Sequence, residues 1–498
     1  MPKILSRRCD ETLPKCRNCS KKNRTCRHQE EWPPAQNPPS SQGWNMRTWS
    51  DVFECDFSGV SLPSTSDSAP QRSQSRAKNL AGDESASSTY PIPEDESSRQ
   101  VTLSEQAIAH GGRDSLRDPV ITELFRHYVD NLASWFDLND PQSLFADVIP
   151  FKALDNPILF KAIIAFTAGH RNRTSKFPHV EVVKIHNACL KDLIPALQSF
   201  NPSQQADYLA ATCLLRSYEI LNGGPKMQEH LFGAPSLPIS ASIDLTTWGL
   251  AQAAFWNYLR QDITIALESQ HPLHIPIRTS DSTPTNMTGQ PHDNSNTITF
   301  LLAKAINLHF RPSHSPHEDS DQWHTLNSEL STFQSHLPST FTPLPRPSPN
   351  PSSLFPPLPL LRPYQISTLQ YLHTTLLLLA LSSPTPAPDL ASTLESHALH
   401  TIGLSASNPC IAAKVNAFGP LIFCGRYLRS VEQREALREL LARMAEETGW
   451  NVEGRLRELS RGWGEREREE RNWELGADGR VMNIITFRPE VMRRRGRV

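Results

Sequence analysis

Apolar residues from residue 118 onward recur at intervals of three and four, the spacing that places them on one face of an α-helix. The first such series is Val120, Leu124, Tyr128, Leu132 and Trp135. It follows Asp118 and Pro119, a typical helix start, because aspartate accepts hydrogen bonds from the free N–H groups of the first turn and proline fits the first helical position. The pattern predicts an amphipathic helix that begins at Pro119.

The same start signal recurs at Asn156 and Pro157, and further helical patterns follow. They cover residues 179–199, 204–222, 245–269, 296–309, 364–382, 389–405, 410–428 and 431–448. Alternation typical of strands is limited to a weak stretch at 481–487. Residues 118–465 are therefore predicted to be all-α, a compact array of about ten helices, followed by a charged tail at 466–498.

Two segments depart from this pattern. Residues 31–117 are rich in Ser, Pro, Gln, Asp and Glu, which predicts a disordered linker, because such a segment buries too little apolar area to offset its ordering entropy. Its aromatic island at residues 44–57 is either a short docking element or a loop packed on the main domain. Residues 337–363 are too dense in proline for a helix or a sheet interior, and are interpreted as a polyproline-like insertion that serves as a spacer.

The length of 498 residues permits several domains and a large core, and the net charge of −2 excludes a protein that is basic throughout. A nucleic-acid partner must therefore meet a local basic patch. The longest apolar run, residues 376–381, is far shorter than the ~20 residues of a membrane span, so no membrane partner is predicted. Residues 1–8 lack the apolar stretch of a secretory signal, which favours an intracellular protein with reduced thiols.

Residues 1–30 hold the chain's basic patch and a cysteine cluster. Within residues 1–27, nine Lys and Arg stand against two acidic residues, and Cys9, Cys16, Cys19 and Cys26 have the spacing C-x6-C-x2-C-x6-C. Zinc prefers four thiolate or imidazole ligands in a tetrahedron, and two cysteines two residues apart reach one ion from a single turn. The spacing predicts a small N-terminal zinc-binding module with these four cysteines as the metal ligands and zinc as the cofactor.

The segment "CDETLPKCRNCSKKNRTC", from Cys9 to Cys26, resembles the second half of the DNA-binding module of fungal binuclear zinc-cluster transcription factors. It keeps that family's accessory residues at Asp10, Pro14, Asn18 and Lys21-Lys22. Residues 127–170, 253–273 and 408–441 are similar to the helical regulatory domain that follows such modules. The resemblance implies a zinc-dependent, DNA-binding transcriptional regulator with a regulatory domain at 118–465.

The resemblance is incomplete at its start. The four cysteines stand for the family's third to sixth ligands, while the first two positions would fall at Pro2 and before the first residue. At best one four-thiolate site can form from these residues. The family's base-reading helix corresponds to residues 3–8, where Leu5 and Ser6 replace residues that are usually basic. Either a further exon lies upstream, or the protein has lost sequence-specific DNA binding.

We therefore expect a nuclear regulator of RNA polymerase II genes in a fungus, whose partners are DNA and transcriptional coregulators. The residues expected to contact DNA are Lys3, Arg7, Arg8, Lys15, Arg17, Lys21 and Lys22. The alternative is a coregulator that acts through protein interactions alone. No heptad repeat adjoins the cysteines, which favours a monomer over a dimer. The basic cluster at 492–497 is either a nuclear address or a solvated tail.

Motifs of catalysis are missing from the sequence, which holds no Gly-rich phosphate loop, G-x-S-x-G or H-E-x-x-H, so no enzyme is predicted. The histidines His127, His170 and His186 are interpreted as exposed or core-edge residues, not ligands. The remaining cysteines of the helical region are expected to be small buried hydrophobes: Cys189, Cys213, Cys410 and Cys424. An effector pocket between helices is left open, because nothing in the sequence names a ligand.

Overall fold

A computed structural model of the protein describes residues 112–174, 180–198, 204–222, 245, 248–285, 289–312, 315–345 and 353–475, with side chains of the last helix as far as Glu465. All of these residues belong to one compact unit. Helices, turns and loops make up the described ranges, which contain no strand. The all-α prediction is confirmed.

The helices run in the following order along the chain. They are α1 Gly112–Ser115, α2 Pro119–His127, α3 Leu144–Asp147, α4 Ile149–Ala153, α5 Pro157–Thr174, α6 Val182–Gln198, α7 Gln205–Asn222, α8 Leu250–Ser269, α9 His292–Phe310, α10 Pro316–His336, α11 Pro363–Leu381, α12 Leu390–Ser407, α13 Ile411–Val415, α14 Phe418–Gly425, α15 Val431–Thr448 and α16 Glu453–Leu475.

Helix α8 lies at the centre of the array, where it packs against α7, α9 and α14. On one side α7 packs on α5 and α5 on α6, and on the other α9 packs on α11 and α11 on α12. Nearly every residue of α8 is buried, including the polar Asn257, Arg260 and Asp262. A helix without a solvent face must pair its polar groups internally, and this requirement shapes the site described below.

Both helix starts predicted from the sequence are confirmed. The Asp118 carboxylate accepts hydrogen bonds from the N–H groups of Val120 and Ile121, at 2.8 and 3.2 Å. Asn156 caps α5 in the same way. These caps satisfy N–H groups that have no partner within the helix, which is why each helix begins where it does.

Two predicted helices are interrupted in the structure. The first ends at His127 and continues as a π-helical turn, Tyr128–Leu132, and a 3-10 turn, Ala133–Trp135. The predicted helix at 410–428 is divided into α13 and α14. Pro420 lacks the N–H that would continue the hydrogen-bond ladder across the junction, so the chain ends one helix at Val415 and starts the next at Phe418.

The ordered body extends further than the predicted 118–465. Gly112 is buried against α4, so the body begins inside the segment predicted as linker, and α16 continues to Leu475.

Helix α10 was not predicted, because its sequence is mostly polar and it buries only a narrow stripe made of Leu326, Leu330 and Phe333. A stripe this sparse gives a weak periodic signal.

Part of the proline-rich segment is packed on the domain. The N–H groups of Leu358 and Leu360 donate to Ser407 Oγ and Asn408 Oδ1 at the end of α12, and Asn408 Nδ2 donates back to Leu358 O. The spacer interpretation is therefore wrong for residues 353–362. An extended segment outside a sheet has no regular hydrogen-bond partners for its backbone N–H and C=O groups. Side chains at the end of α12 supply those partners here.

Three of the four cysteines that the sequence assigned to the core lie there. Cys189, Cys213 and Cys424 are fully buried as expected, whereas Cys410 is only half-buried. The aromatic pair Phe255 and Trp256 is also buried. None of the described helices is both long and apolar enough to cross a membrane.

Substitution by alanine is expected to have opposite effects on stability at two glycines. A Cβ at Gly419 would lie 2.8 Å from the Cα of Thr264, whereas a Cβ at Gly462 would meet nothing within 4 Å. Gly419→Ala should lower the free energy of unfolding by about 1–3 kcal/mol, because α14 must move away from α8. Gly462→Ala should raise it by ~0.5–1 kcal/mol through helix propensity. Urea denaturation of the two variants measures the contrast, and equal effects would contradict the packing described here.

Candidate functional site

The residues predicted from the sequence to bind zinc and DNA lie outside the described residues. The metal ligands are Cys9, Cys16, Cys19 and Cys26, and the DNA contacts are Lys3, Arg7, Arg8, Lys15, Arg17, Lys21 and Lys22. Both sets stay predictions. The candidate site of the described residues is a cleft in the helical body that sequence reasoning did not find.

This cleft, of about 880 Å³, lies between the end of α8, the loop that follows it, and α16. Its size falls within the range of about 300–1,000 Å³ typical of small-molecule sites. Charged residues of both signs line it: Glu268, Arg426, Arg455, Glu458, Arg461 and Glu465. The cleft is therefore suited to a polar ligand more than to an apolar one.

Glu268 lies on the floor of the cleft and is only 5% exposed. Its Oε2 accepts a hydrogen bond from Arg455 Nε at 3.1 Å, and the side chain of Trp450 also donates to this carboxylate. Burial raises the pKa of Glu268, and the charge of Arg455 opposes that rise. The floor of the cleft thus contains a buried ion pair between Glu268 and Arg455.

The end of α8 turns sharply to form one wall. Gln270 adopts the left-handed conformation, with φ of 57°, and its N–H donates to Ala266 O. This turn sends residues 271–274 back along the helix, and His271 and His274 both line the cleft. The carboxyl end of α8, the negative end of its dipole, therefore faces the cleft.

His274 connects the cleft to a buried ion pair. Its Nδ1 lies 2.9 Å from Asp262 Oδ1, and Asp262 Oδ2 accepts from the N–H groups of His274 and Ile275. Arg216 of α7 donates to Asp262 Oδ1 at 3.0 Å and lies over the ring of Tyr258. Burial opposes the ionisation of Asp262, yet the His274 hydrogen bond and the Arg216 charge hold the pKa of Asp262 below its usual range.

The histidines named from the sequence lie in the interior or at its edge. His127 Nε2 is 3.1 Å from His170 Nδ1, and His186 Nε2 is 3.2 Å from Glu219 Oε1. Burial lowers the pKa of His170 to about 3 and that of His127 to about 4. Across the ranges that the structure describes, no group of three or more His, Cys, Asp or Glu side chains could hold a metal ion.

A second set of histidines lies between α11 and α12. His373 Nδ1 is 3.2 Å from His397 Nδ1, and the ring of His373 stacks on that of His400 with centroids 4.6 Å apart. Burial, and then the charges that His400 and His397 would carry, lower the pKa of His373 to about 3. The folded protein therefore holds this ring neutral.

Comparison with known proteins defines the class of this chain. Residues 123–475 match the family described as the fungal specific transcription factor domain. The match covers more than half of the chain, and the chain belongs to this family. This family is one of transcription factors and not of enzymes.

A curated relative agrees with this class. The protein named transcription activator AMTR1, from Alternaria alternata, is 21% identical over 488 residues, an alignment that covers 68% of this chain and 63% of the relative. The chain thus spans less than two thirds of that relative's length. No solved structure matches the chain significantly.

The buried histidines predict how stability depends on pH. The unfolded chain binds a proton at His373 below pH ~6.5, whereas the folded protein excludes it until a much lower pH. The unfolded state then binds more protons, so stability is lost as the pH falls from about 6.5 to 4. His373→Gln should reduce this slope by as much as about 1.4 kcal/mol per pH unit.

Urea denaturation at several pH values measures the slope. His336→Gln, at an exposed position of α10, is the matched control for the substitution itself. Equal slopes in the wild type and in His373→Gln would show that this ring is not held neutral by the fold.

Proposed function

We propose that this chain is a zinc-dependent, DNA-binding regulator of RNA polymerase II genes that acts in the nucleus. The observation that carries the proposal is the family match over 123–475, which makes the helical body a transcription factor domain. The name of the relative favours activation as the direction of control. In this proposal the N-terminal module contacts DNA, and the helical body contacts coregulators and sets the activity.

The zinc part of the proposal depends on the four N-terminal cysteines. Their spacing is suited to one tetrahedral four-thiolate site, and a segment with few apolar residues depends on the metal for its folding free energy. The cysteines of the helical body are poor candidates for ligands. Burial raises the pKa of Cys424 to about 11 and that of Cys213 to about 12, so these thiols stay protonated at neutral pH.

The DNA part depends on charge. Residues 1–27 contain nine Lys and Arg against two acidic residues, and these basic residues supply contacts to phosphates on a chain whose net charge is only −2. Phosphate contacts give affinity, but sequence readout needs side chains at base edges. Leu5 and Ser6 occupy positions where the family usually has basic residues, and this favours the second candidate, a coregulator with weak DNA discrimination.

We expect the full chain to bind one zinc ion. Cys16→Ser and Cys19→Ser should each abolish stoichiometric binding, because a site with three thiolates holds zinc far more weakly. Cys410→Ser, in the helical body, is the control and should leave the stoichiometry unchanged. Metal analysis after dialysis, with cobalt spectra to detect thiolate ligands, measures the result. Two tightly bound zinc ions, or none, would contradict a single four-thiolate site.

We also expect weak DNA binding with a steep dependence on salt and little sequence preference. The double variant Lys21→Gln with Lys22→Gln should weaken binding to all duplexes alike and reduce the log–log salt slope by about two, one for each lost phosphate contact. Lys191→Gln, an exposed lysine of α6, should change neither. Competition binding against scrambled duplexes measures the preference. A preference of about a thousandfold or more would instead indicate base readout by this chain.

A further inference from the structure

We propose that Thr342 is a phosphorylation site for a proline-directed protein kinase, and that Arg362 holds the phosphate once it is attached. The kinase transfers the γ-phosphoryl group of ATP. Thr342 Oγ1 forms a bond to the γ-phosphorus, the bond from that phosphorus to the β–γ bridging oxygen breaks, ADP leaves, and the hydroxyl proton passes to the base of the kinase. This modification goes beyond the proposed function and does not depend on it.

Thr342 is one of several residues in the described ranges that precede a proline and carry a hydroxyl group. The Ser-Pro and Thr-Pro pairs begin at Thr283, Ser315, Thr342, Ser383 and Thr385. The first, second and fourth of these residues are half-buried. The hydroxyls of Thr283 and Ser383 also donate hydrogen bonds, to Glu329 Oε2 and to Thr385 O. The exposed candidates are therefore Thr342 and Thr385.

The backbone at Thr342 has the extended conformation in which peptide substrates bind protein kinases. Its φ is −74° and its ψ is 127°, and Pro343 disfavours the helical conformation for the residue before it. The side chain is exposed, and its hydroxyl forms no hydrogen bond with any residue that the structure describes. Thr342 Oγ1 is thus accessible, and no intramolecular bond has to break before the transfer.

Two hydrogen bonds pair the segment that contains Thr342 with the segment that leads into α11. The N–H of Leu344 donates to Pro359 O at 2.9 Å. Gln365 Nε2, in the first turn of α11, donates to Thr340 O at 2.8 Å. The later residue of the first segment is paired with the earlier residue of the second, so the two segments are antiparallel on either side of Thr342.

This pairing places Arg362 opposite Thr342. Arg362 lies midway between the two paired residues of its own segment, as Thr342 does on the other, and its backbone is also extended, with φ of −128° and ψ of 142°. Its side chain is exposed and forms no ion pair with any described residue. A guanidinium meets a phosphate in two parallel N–H···O bonds. Arg362 is thus placed to hold a phosphate on Thr342.

The phosphate would fasten the proline-rich segment to the helical body. Two side chains at the end of α12 already anchor residues 353–362. Gly403 of the same helix allows Pro356 to approach closely, because a Cβ at this position would collide with the carbonyl oxygen of Pro356. A bond between the phosphate and Arg362 would join the Thr342 segment to this anchored segment. Phosphorylation therefore controls how firmly the two segments are held together on α12.

Kinase treatment of the full chain tests the site. The protein is incubated with a mitogen-activated protein kinase and ATP, and tandem mass spectrometry locates the phosphate. A variant with Ser348→Ala and Thr385→Ala, which removes two other proline-directed pairs, should be phosphorylated at Thr342. Adding Thr342→Ala should abolish this phosphate, and Thr283, whose hydroxyl is hydrogen-bonded, should stay unmodified. An unmodified Thr342 would overturn the proposal.

Phosphorus NMR tests the contact with Arg362. A phosphothreonine takes up its second proton near pH ~6, and a neighbouring guanidinium lowers that pH. The phosphate on Thr342 should titrate about 0.5 pH unit or more below a phosphate on Thr385, prepared in a chain with Ser348→Ala and Thr342→Ala. Arg362→Gln should remove the difference, whereas Arg126→Gln, at an exposed position of α2, should leave it unchanged.

Equal titration of the two phosphates, or an unchanged difference in Arg362→Gln, would overturn the role of Arg362. Neither measurement involves zinc or DNA, so a failure here is distinguished from a failure of the proposed function.

Discussion

The buried carboxylate of Asp262 is the interaction on which the centre of this fold depends. It is fully buried in α8, and an ionised group in such a position is tolerated only when it is paired and hydrogen-bonded. Arg216 of α7 and His274 of the following loop supply those partners. Removing one partner of such a network typically costs about 3–5 kcal/mol, because an uncompensated charge is left behind. This pairing allows α8 to lie at the centre of the array without a face toward water.

The same pairing shapes the candidate site. Asp262 accepts hydrogen bonds from the backbone N–H groups of His274 and Ile275. These bonds hold the loop after α8 in the position where it forms a wall of the cleft. A second ion pair, between Glu268 and Arg455, ties the opposite wall on α16 to the end of α8. The cleft is thus bounded on two sides by contacts that also stabilise the fold.

The chemistry proposed for this chain is divided between two parts that follow different physical rules. The function of the N-terminal residues is predicted from their composition and from short spacings in the sequence, as in the C-x2-C pair of Cys16 and Cys19. The site in the helical body instead depends on contacts between side chains that are distant in sequence.

The sequence by itself determined the all-α class and the starts of helices α2 and α5, because capping by Asp118 and Asn156 acts within three residues of the chain. It did not indicate α10, whose three core residues give too sparse a pattern, or the break before Pro420, where apolar periodicity continues through the interruption. The cleft was decided by tertiary structure alone. Glu268 and Arg455 meet across 187 residues of sequence, and no local pattern encodes a contact that arises only when α8 and α16 pack at the same end of the array.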